Sequence, residues 1–515
     1  MNYSSPNTLA DRALGQLVRF FKAEWSGALI AIIILGVSIE FATSGRPFFH
    51  PTNLMTIMNN SAAIGVVAAG MTLVIITAGI DLSVGSVMGM TAALTGYVAS
   101  FFGFPPHLAI MTGLSLGLFI GAFHGTMVAY LGMPAFIVTL AGLSIWRGAG
   151  HLSTGAQATP KLPDTFDFFG RWNPFSSIRD SYKAGDLDGF AAMVGQFVDA
   201  NWLSFFRTFQ MSMVIFIVFF VVLSVIVSNT RFGRYVYAIG SNISGARQSG
   251  INVRLYTLIT YMFCSFAAAL GALLFLGRAP YAKSDYGQMW ELDAIAAVVI
   301  GGTSLFGGRG SLWGTFLGVI LLKLINNGLT LAQLNTFWQM VLTGVIIMIA
   351  VGIDIVRQSK DAEKLRKMLV VIGASMGLFT MLTPANLYLK AKLALLEHSS
   401  AFALKAEGIK LASSQTKRLL SPPEIADYQT VVATHFMPSA LFLLLFIAAL
   451  ILFWKKDKVW SYAVALGFIV MSVPVAMLGY QITIPFLALG ASAILGSTLV
   501  TYLFEKARRL SAQEA

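Results

Sequence analysis

Between Arg46 and Arg147 this chain carries a single formally charged side chain, that of Asp81. Across all 515 residues, 56% are apolar and 11% are charged, whereas about 25% of the residues of a soluble domain are charged. Too few charges remain to cover the surface of a soluble enzyme, and a disordered chain would be poor in apolar residues. Because a membrane-spanning helix needs about 20 apolar residues, the composition predicts an all-α polytopic membrane protein.

The apolar runs divide the chain into three parts. About ten spans are predicted in the first two-thirds, at 26–42, 60–79, 82–103, 107–131, 134–152, 208–228, 255–277, 293–306, 311–331 and 337–356. About four extra C-terminal spans follow, at 368–388, 438–454, 459–480 and 482–504. We therefore expect a cytoplasmic N-terminal segment at 1–25, a membrane core at 26–366 and a C-terminal accessory membrane region at 367–515. No small-residue cleavage site follows the first apolar run, so no removable signal peptide is expected.

Charged residues are distributed unevenly between the loops. The segment 229–254 contains four arginines and no acidic residue, and the positive-inside rule therefore places it in the cytoplasm. The segment 153–207 has a mixed charge and is predicted to be an external loop, with room for a short surface helix. Both termini are expected in the cytoplasm. Basic cytoplasmic loops explain the net charge of +12, so no nucleic-acid partner is expected.

Asp81 stands in the sequence Gly-Ile-Asp-Leu-Ser-Val-Gly-Ser at 79–86. A charged side chain in the middle of a bilayer costs about 2.5–3.5 kcal/mol on insertion scales. The surrounding glycines and serines favour a break between two spans, where Asp81 would cap the following helix by accepting backbone N–H bonds. Ligand binding or contact with a partner is the alternative role.

Glycines recur four residues apart in two predicted spans, which places them on one helix face where backbones can approach closely. They are Gly113, Gly117, Gly121 and Gly125 in one span, and Gly310, Gly314 and Gly318 in the other. We interpret both sets as helix packing; a seam that moves at a transport gate is the alternative. The glycine-dense segment 301–310 is expected to turn sharply between two spans.

The basic loop at 229–254 is predicted to contain a short helix, with Asn242 or Ser244 as its N-cap and Gly250 at its end. Such a helix would lie at the cytoplasmic surface and would dock a cytoplasmic protein; the alternative is a loop that only obeys the positive-inside rule. The sequence contains no GxxxxGK[ST] phosphate loop, no HExxH motif, no paired cysteines and no nucleophile elbow. The chain is therefore not expected to be an enzyme.

Several of these motifs, in this order, resemble those of one family. The segments concerned are 79–86, 134–142, 232–250, 292–314 and 335–339. Over about residues 25–357 the chain resembles the membrane permease subunit of bacterial sugar ABC importers, in the ribose/xylose/galactose group and nearest to its xylose-type members. The tail from residue 368 onward departs from that family.

The resemblance implies a permease of about ten spans in the bacterial cytoplasmic (inner) membrane, which works as a homodimer. A cytoplasmic ATPase subunit would dock on it and use ATP and Mg, so no cofactor is expected in this chain. A periplasmic sugar-binding protein would deliver the substrate. The resemblance assigns the ATPase-docking loop to Gly233, Arg234, Ala238, Gly240, Asn242, Arg247 and Gly250.

Two alternatives remain open. An ion-coupled secondary transporter would use intramembrane charges, for which Asp81, Asp293 and Lys323 are candidates. An ABC permease could instead carry a nucleoside, a polyol or an amino acid. Candidate residues of the translocation path are Asn59, Asn60, Asp81, Ser83, Asn326, Asn327, Trp338 and Gln339. For the uncharged members, hydrogen bonding between helices or anchoring at the membrane interface is the competing interpretation.

Overall fold

The structure is a computed structural model that describes residues 48–173 and 208–331, together with single positions between 29 and 40 and at 340 and 344. Backbone contacts divide the chain into the units Met1–Asp354 and Ile355–Ala515, and the described residues all lie in the first unit. All regular secondary structure in the described ranges is helical. The α-helices are α1 (Pro51–Ile76), α2 (Val84–Ser100), α3 (Pro106–Ala129), α4 (Ala135–Thr154), α5 (Met211–Asn229), α6 (Arg231–Ser241), α7 (Ile243–Gln248), α8 (Val253–Leu276), α9 (Trp290–Ile300) and α10 (Leu312–Leu331).

Helix α1 is the centre of the described unit. Every residue from Ser61 to Ile76 is buried, and the helix packs against α5, α8, α9 and α10. It begins nine residues before the predicted span at 60–79, because Pro51 occupies its first turn and His50 Nδ1 accepts the N–H of Thr52 at 3.4 Å. Proline is favoured at that position since it has no N–H to leave unpaired.

Five of the described helices are long and apolar enough to cross a membrane: α1, α3, α5, α8 and α10. They support an all-α polytopic membrane protein and overlap five of the predicted spans. Helix α2 has 17 residues, near the lower limit for a crossing. Helix α4 has 20 residues and includes Arg147 and His151.

The span predicted at 293–306 does not form a crossing helix. Helix α9 has 11 residues, and at about 1.5 Å per residue it extends over roughly half of a hydrocarbon core about 30 Å thick. A turn at 301–310 follows, as predicted, in which Gly307 and Gly308 adopt φ values of +83° and +72°. The apolar composition continues to Phe306, but the glycines end the helix. The predicted spans at 26–42, at 337–356 and after 368 lie outside the continuously described residues.

The glycine face of α3 packs against α8. A Cβ atom on Gly117, Gly121 or Gly125 would contact α8 residues at distances that real Cβ atoms do not show. Gly113 instead faces Thr95 of α2. Helix packing therefore accounts for this repeat. In the second repeat Gly318 lies on Ala297 of α9 and Gly314 lies on Gly301, which follows α9, while Gly310 lies before α10 begins.

The described part of the 153–207 segment contains the expected short helix, a 3-10 helix at Asp164–Phe169. It lies beside the C-terminal end of α8. The Thr159 N–H donates to Ala282 O at 3.0 Å, and the Arg171 N–H donates to Gly277 O at 3.1 Å. These bonds join the segment that contains the 3-10 helix to the loop between α8 and α9.

Candidate functional site

The residues 77–83, here called the Asp81 turn, connect α1 to α2. Asp81 is fully buried. Its Oδ1 accepts the backbone N–H of Ser83 at 2.9 Å and the Ser83 hydroxyl at 2.6 Å. The carboxylate therefore accepts a backbone N–H at the start of the next helix, as predicted, although Ser83 itself is the N-cap residue. The negative charge also lies where the dipole of α2 favours it.

A chain of hydrogen bonds leads from Asp81 to two other helices. His124 of α3 is fully buried, and its Nδ1 lies 3.3 Å from Ser83 Oγ. On α4, Trp146 Nε1 donates to His124 Nε2 at 2.9 Å. Since an indole N–H can only donate, Nε2 must be the acceptor, and Nδ1 of the neutral ring carries the proton. Each bond then has one direction, from Trp146 through His124 and Ser83 to Asp81.

Further helices contact the same turn. The Thr139 hydroxyl of α4 lies 3.2 Å from Ile80 O and 2.9 Å from Ala135 O of its own helix, so these two oxygens share one donor. The Tyr261 hydroxyl of α8 lies against Gly79, where a Cβ atom would be 2.7 Å from it. Among the described residues, neither this hydroxyl nor Asp81 Oδ2 has a hydrogen-bond partner. The Asp81 turn is thus enclosed by α3, α4 and α8.

The predicted docking loop folds into two helices, α6 and α7. The short helix α7 starts at the predicted cap: Asn242 Oδ1 accepts the Gly245 N–H at 3.0 Å. Beyond its end Gly250 has a φ of +80°, which favours glycine. The cap is therefore Asn242 rather than Ser244, and Gly250 follows the helix as predicted.

The outer surface of these two helices is basic. The side chains of Arg231, Arg234 and Arg247 are exposed, as are Asn242 and, at the start of α8, Arg254. Ile243, in the same surface, is 53% exposed. No acidic residue lies in this segment to neutralise the arginines. Such a surface suits an acidic partner.

The inner surface of α6 packs against the membrane helices. Gly233 lies on the backbone of Val227 in α5, and Gly240 lies on Ile76 O at the end of α1. The Tyr237 hydroxyl donates to Gly310 O at 2.7 Å. Ala238, another residue of the predicted docking loop, is half-buried. The loop therefore has an exposed basic side and a closely packed inner side.

At the opposite end of α1, Arg278 contacts two of the candidate path residues. Its Nη1 donates to Asn59 O at 3.0 Å, and its Nη2 donates to Asn60 Oδ1 at 2.7 Å. Burial lowers the pKa of the Arg278 guanidinium from its usual value. Asn59 Nδ2 donates to Thr208 O at 2.7 Å. These asparagines therefore join separate parts of the chain.

Asn327 forms a reciprocal amide pair with Asn53. Asn53 Nδ2 donates to Asn327 Oδ1 at 3.0 Å, and Asn327 Nδ2 donates to Asn53 Oδ1 at 2.9 Å. Asn326 is half-buried, whereas Trp338 and Gln339 lie outside the described residues. The pair joins α1 to α10, as the competing interpretation of hydrogen bonding between helices requires.

The described candidate path residues do not form one cluster. Asn59, Asn60 and Asn327 lie at the N-terminal end of α1 or beside it, and Asp81 and Ser83 lie beyond its C-terminal end. Of the remaining charged candidates, Lys323 Nζ lies 3.6 Å from Asp293 Oδ2. Both side chains of that pair are largely buried.

Sequence reasoning missed several residues that contact these sites. The main ones are His124, Trp146, Tyr237 and Arg278. His124 had one visible signal, because it is a histidine in the middle of an apolar span. Within 48–173 and 208–331, no three His, Cys, Asp or Glu side chains are grouped in a way that would hold a metal ion.

Residues 53–351, more than half of the chain, match the family model described as the branched-chain amino acid transport system permease component. The chain belongs to this permease family. The matched range contains the Asp81 turn, helices α6 and α7 and the asparagines of α1, while the tail of the permease lies beyond it.

Individual relatives of the permease are import proteins for sugars. The ribose import permease protein RbsC of Escherichia coli K12 is 34% identical over 342 residues, which are 65% of this chain and 96% of RbsC. The fructose import permease protein FrcC of Rhizobium meliloti is 32% identical over 345 residues, covering 67% of this chain and 89% of FrcC. The xylose transport system permease protein XylH of Haemophilus influenzae is 32% identical over 361 residues, covering 64% of this chain and 96% of XylH.

These matches confirm the resemblance predicted from the motifs over about two-thirds of the chain. The identities to the ribose and xylose proteins are too similar to single out the xylose type. No solved structure matches the permease.

Proposed function

We propose that this permease is the membrane-spanning subunit of an ATP-driven ABC importer that moves a sugar across the bacterial cytoplasmic membrane. A pentose or a similar monosaccharide is the expected cargo. The observation that carries the proposal is the match over two-thirds of the chain to import permeases for ribose, fructose and xylose. The chain would supply the path, and a separate subunit would hydrolyse ATP.

Helices α6 and α7, here called the docking helices, support an ATPase partner. They expose three arginines and one large apolar side chain, Ile243, on the outside of a closely packed unit. A cytoplasmic ATPase with an acidic groove would fit this surface. The loop and both termini would then be cytoplasmic, and a periplasmic sugar-binding protein would meet the other side of a permease homodimer.

Ion-coupled transport is the second candidate. Lys323 and Asp293 form a largely buried ion pair, and ionisable side chains inside a membrane often line ion pathways. An uptake assay separates the classes: the proposed importer needs its ATPase and continues under an uncoupler when ATP is held constant.

Charge reversal on the docking helices tests the ATPase partner. Replacing Arg234→Glu together with Arg247→Glu should weaken binding of the ATPase by tenfold or more, on the order of the effect of charged pairs at interfaces. Both side chains are exposed, so membrane insertion should not change. The measurement is recovery of the ATPase with the purified permease at equal permease amounts.

The matched control is the charge reversal of Lys161 and Arg171, which are also exposed but lie on the 3-10 helix segment. It should leave ATPase recovery unchanged. Equal recovery by the Arg234 and Arg247 variant would contradict docking at α6 and α7.

The cargo requires a separate measurement. The reconstituted permease, ATPase and binding protein should hydrolyse ATP faster when one sugar of a panel is added. Nucleosides, polyols and amino acids belong in the same panel. If ATP hydrolysis is stimulated by a nucleoside, a polyol or an amino acid but by none of the sugars, the chain is still an ABC importer permease and the proposed substrate is wrong.

A further inference from the structure

We propose that the Asp81 turn couples the docking helices to the membrane helices, with Tyr237 and Gly240 of α6 as positioning residues. This inference rests on the proposed function, because it assumes that an ATPase docks on α6 and α7. It adds the route by which movement of those helices reaches α2, α3, α4 and α8.

Contacts on the docking side converge on the end of α1. Gly240 packs directly on Ile76 O. The same oxygen accepts the N–H of Gly308, at 2.8 Å. Because Tyr237 donates to Gly310 O, α6 is attached to the 301–310 turn and to α1 at once. A displacement of α6 must therefore move both.

Contacts continue from there into the Asp81 turn. Gly307 packs against Ala78, whose φ of +60° is a backbone conformation that residues with side chains rarely adopt. No flexible side chain lies between the 301–310 turn and Ala78, so a shift of one backbone is passed to the other. Close-packed contacts of this kind transmit displacement instead of absorbing it.

On the membrane side, three helices contact the turn through different groups. Tyr261 of α8 lies on Gly79. Thr139 of α4 lies within hydrogen-bonding distance of Ile80 O, and His124 of α3 lies within that distance of Ser83. Within the described residues, the Asp81 turn is therefore contacted on one side by the 301–310 turn, to which α6 is attached, and on the other side by the membrane helices α3, α4 and α8. A two-state change at this turn would change the packing of all three helices.

Tyr237→Phe tests the route while it preserves the ring. It removes the hydroxyl that donates to Gly310 O. In proteoliposomes with the ATPase and the binding protein, ATPase binding should remain as in the wild type. The number of ATP molecules hydrolysed per sugar imported should rise by about three- to tenfold, as expected for the loss of one hydrogen bond.

Tyr256→Phe is the matched control. It is the same chemical change in a tyrosine at the N-terminal end of α8, whose ring packs against Phe232 and Tyr235 of α6. It should leave the ratio of ATP to sugar unchanged. An unchanged ratio in Tyr237→Phe, with ATPase binding intact, would overturn the inference and leave the proposed function standing. Loss of ATPase binding in Tyr237→Phe would assign Tyr237 to docking and would also overturn it.

Thr139→Val tests the contact between the Asp81 turn and α4. It also tests the inference if the Tyr237→Phe permease does not assemble. It removes the hydroxyl that reaches Ile80 O and should raise the same ratio. In the double variant Tyr237→Phe/Thr139→Val, the rise in the ratio of ATP to sugar should be smaller than the product of the two single rises, because both substitutions act through one turn. An unchanged ratio in Thr139→Val, or effects that simply multiply, would contradict a shared route. Failure of the wild-type permease to bind any ATPase would reject the proposed function itself.

Discussion

The two ends of α1 are held in place by different kinds of interaction. At its C-terminal end, Ile76 lies against backbone groups and glycines, with Gly240 and Gly308 in direct contact with Ile76 O. At its N-terminal end, neutral amides connect the helices: Asn53 pairs with Asn327, and Asn60 accepts from Arg278. We call these the docking end and the asparagine end.

The two ends differ in which substitutions they tolerate. At the docking end the limiting quantity is space, because backbones approach so closely that a side chain cannot be inserted. At the asparagine end the limiting quantity is hydrogen bonding, and an amide can exchange one partner for another. A closely packed end suits the transmission of movement, whereas an end joined by exchangeable amides suits opening and closing. Substitutions should therefore have large effects at one end and small effects at the other.

The largest effect is expected from Gly240→Ala. The added Cβ would be placed on Ile76 O and near the Gly308 nitrogen, both of them backbone atoms that cannot rotate away. Overpacking typically costs about 1–3 kcal/mol, and backbone contacts belong at the upper end of that range. The measurement is the thermal stability of the purified permease and its yield in membranes.

Gly148→Ala on α4 is the matched control, because a Cβ atom there meets nothing within 4 Å. In a helix interior this change should stabilise by about 0.5–1 kcal/mol. If Gly240→Ala were as stable as Gly148→Ala, the docking end would not be limited by space.

Asp81→Asn should have the next largest effect. The amide keeps the oxygen that accepts from Ser83, so the bonds at the start of α2 can persist. It replaces Oδ2 by an NH2 group in a buried position, and an unpaired buried donor costs about 1–3 kcal/mol. We expect lower stability and yield, with sugar transport per assembled permease retained.

Asp81→Glu separates charge from fit, because it retains the carboxylate and lengthens the side chain. Transport that disappears in Asp81→Asn but persists in Asp81→Glu, at equal assembled amounts, would show that the charge does more than cap α2. The comparison between the ends would then need a chemical role at the docking end in addition to tight packing.

Local features of the docking end were predictable from the sequence. Asn242 caps α7 through a nitrogen three residues away, and Asp81 binds a nitrogen two residues away. Such bonds depend on nearby residues and follow from residue type. The positive charge of the loop could also be predicted, because it depends only on residue type, and Arg234 and Arg247 are exposed.

The long-range contacts could not be predicted in the same way. Ser83 and His124 are 41 positions apart, and Tyr237 and Gly310 are 73 apart. Their meeting depends on how α3, α4 and α6 pack, which no local pattern fixes. The sequence also placed Asn59 and Asp81 in one candidate path. They lie towards opposite ends of α1, which a path across the membrane allows, so this assignment stays a prediction.

The smallest effect is expected at the asparagine end, from Asn327→Ala. This change breaks the reciprocal amide pair with Asn53, which keeps a second bond to Phe48 O at 2.8 Å. Hydrogen bonds between membrane helices average about 0.6 kcal/mol and reach about 1.7 kcal/mol at most. A double-mutant cycle with Asn53→Ala should therefore give a coupling energy near 0.6 kcal/mol in unfolding measurements. A coupling energy well above 2 kcal/mol would place the asparagine end among the rigid contacts of α1, and the distinction between a tightly packed end and an exchangeable end would no longer hold.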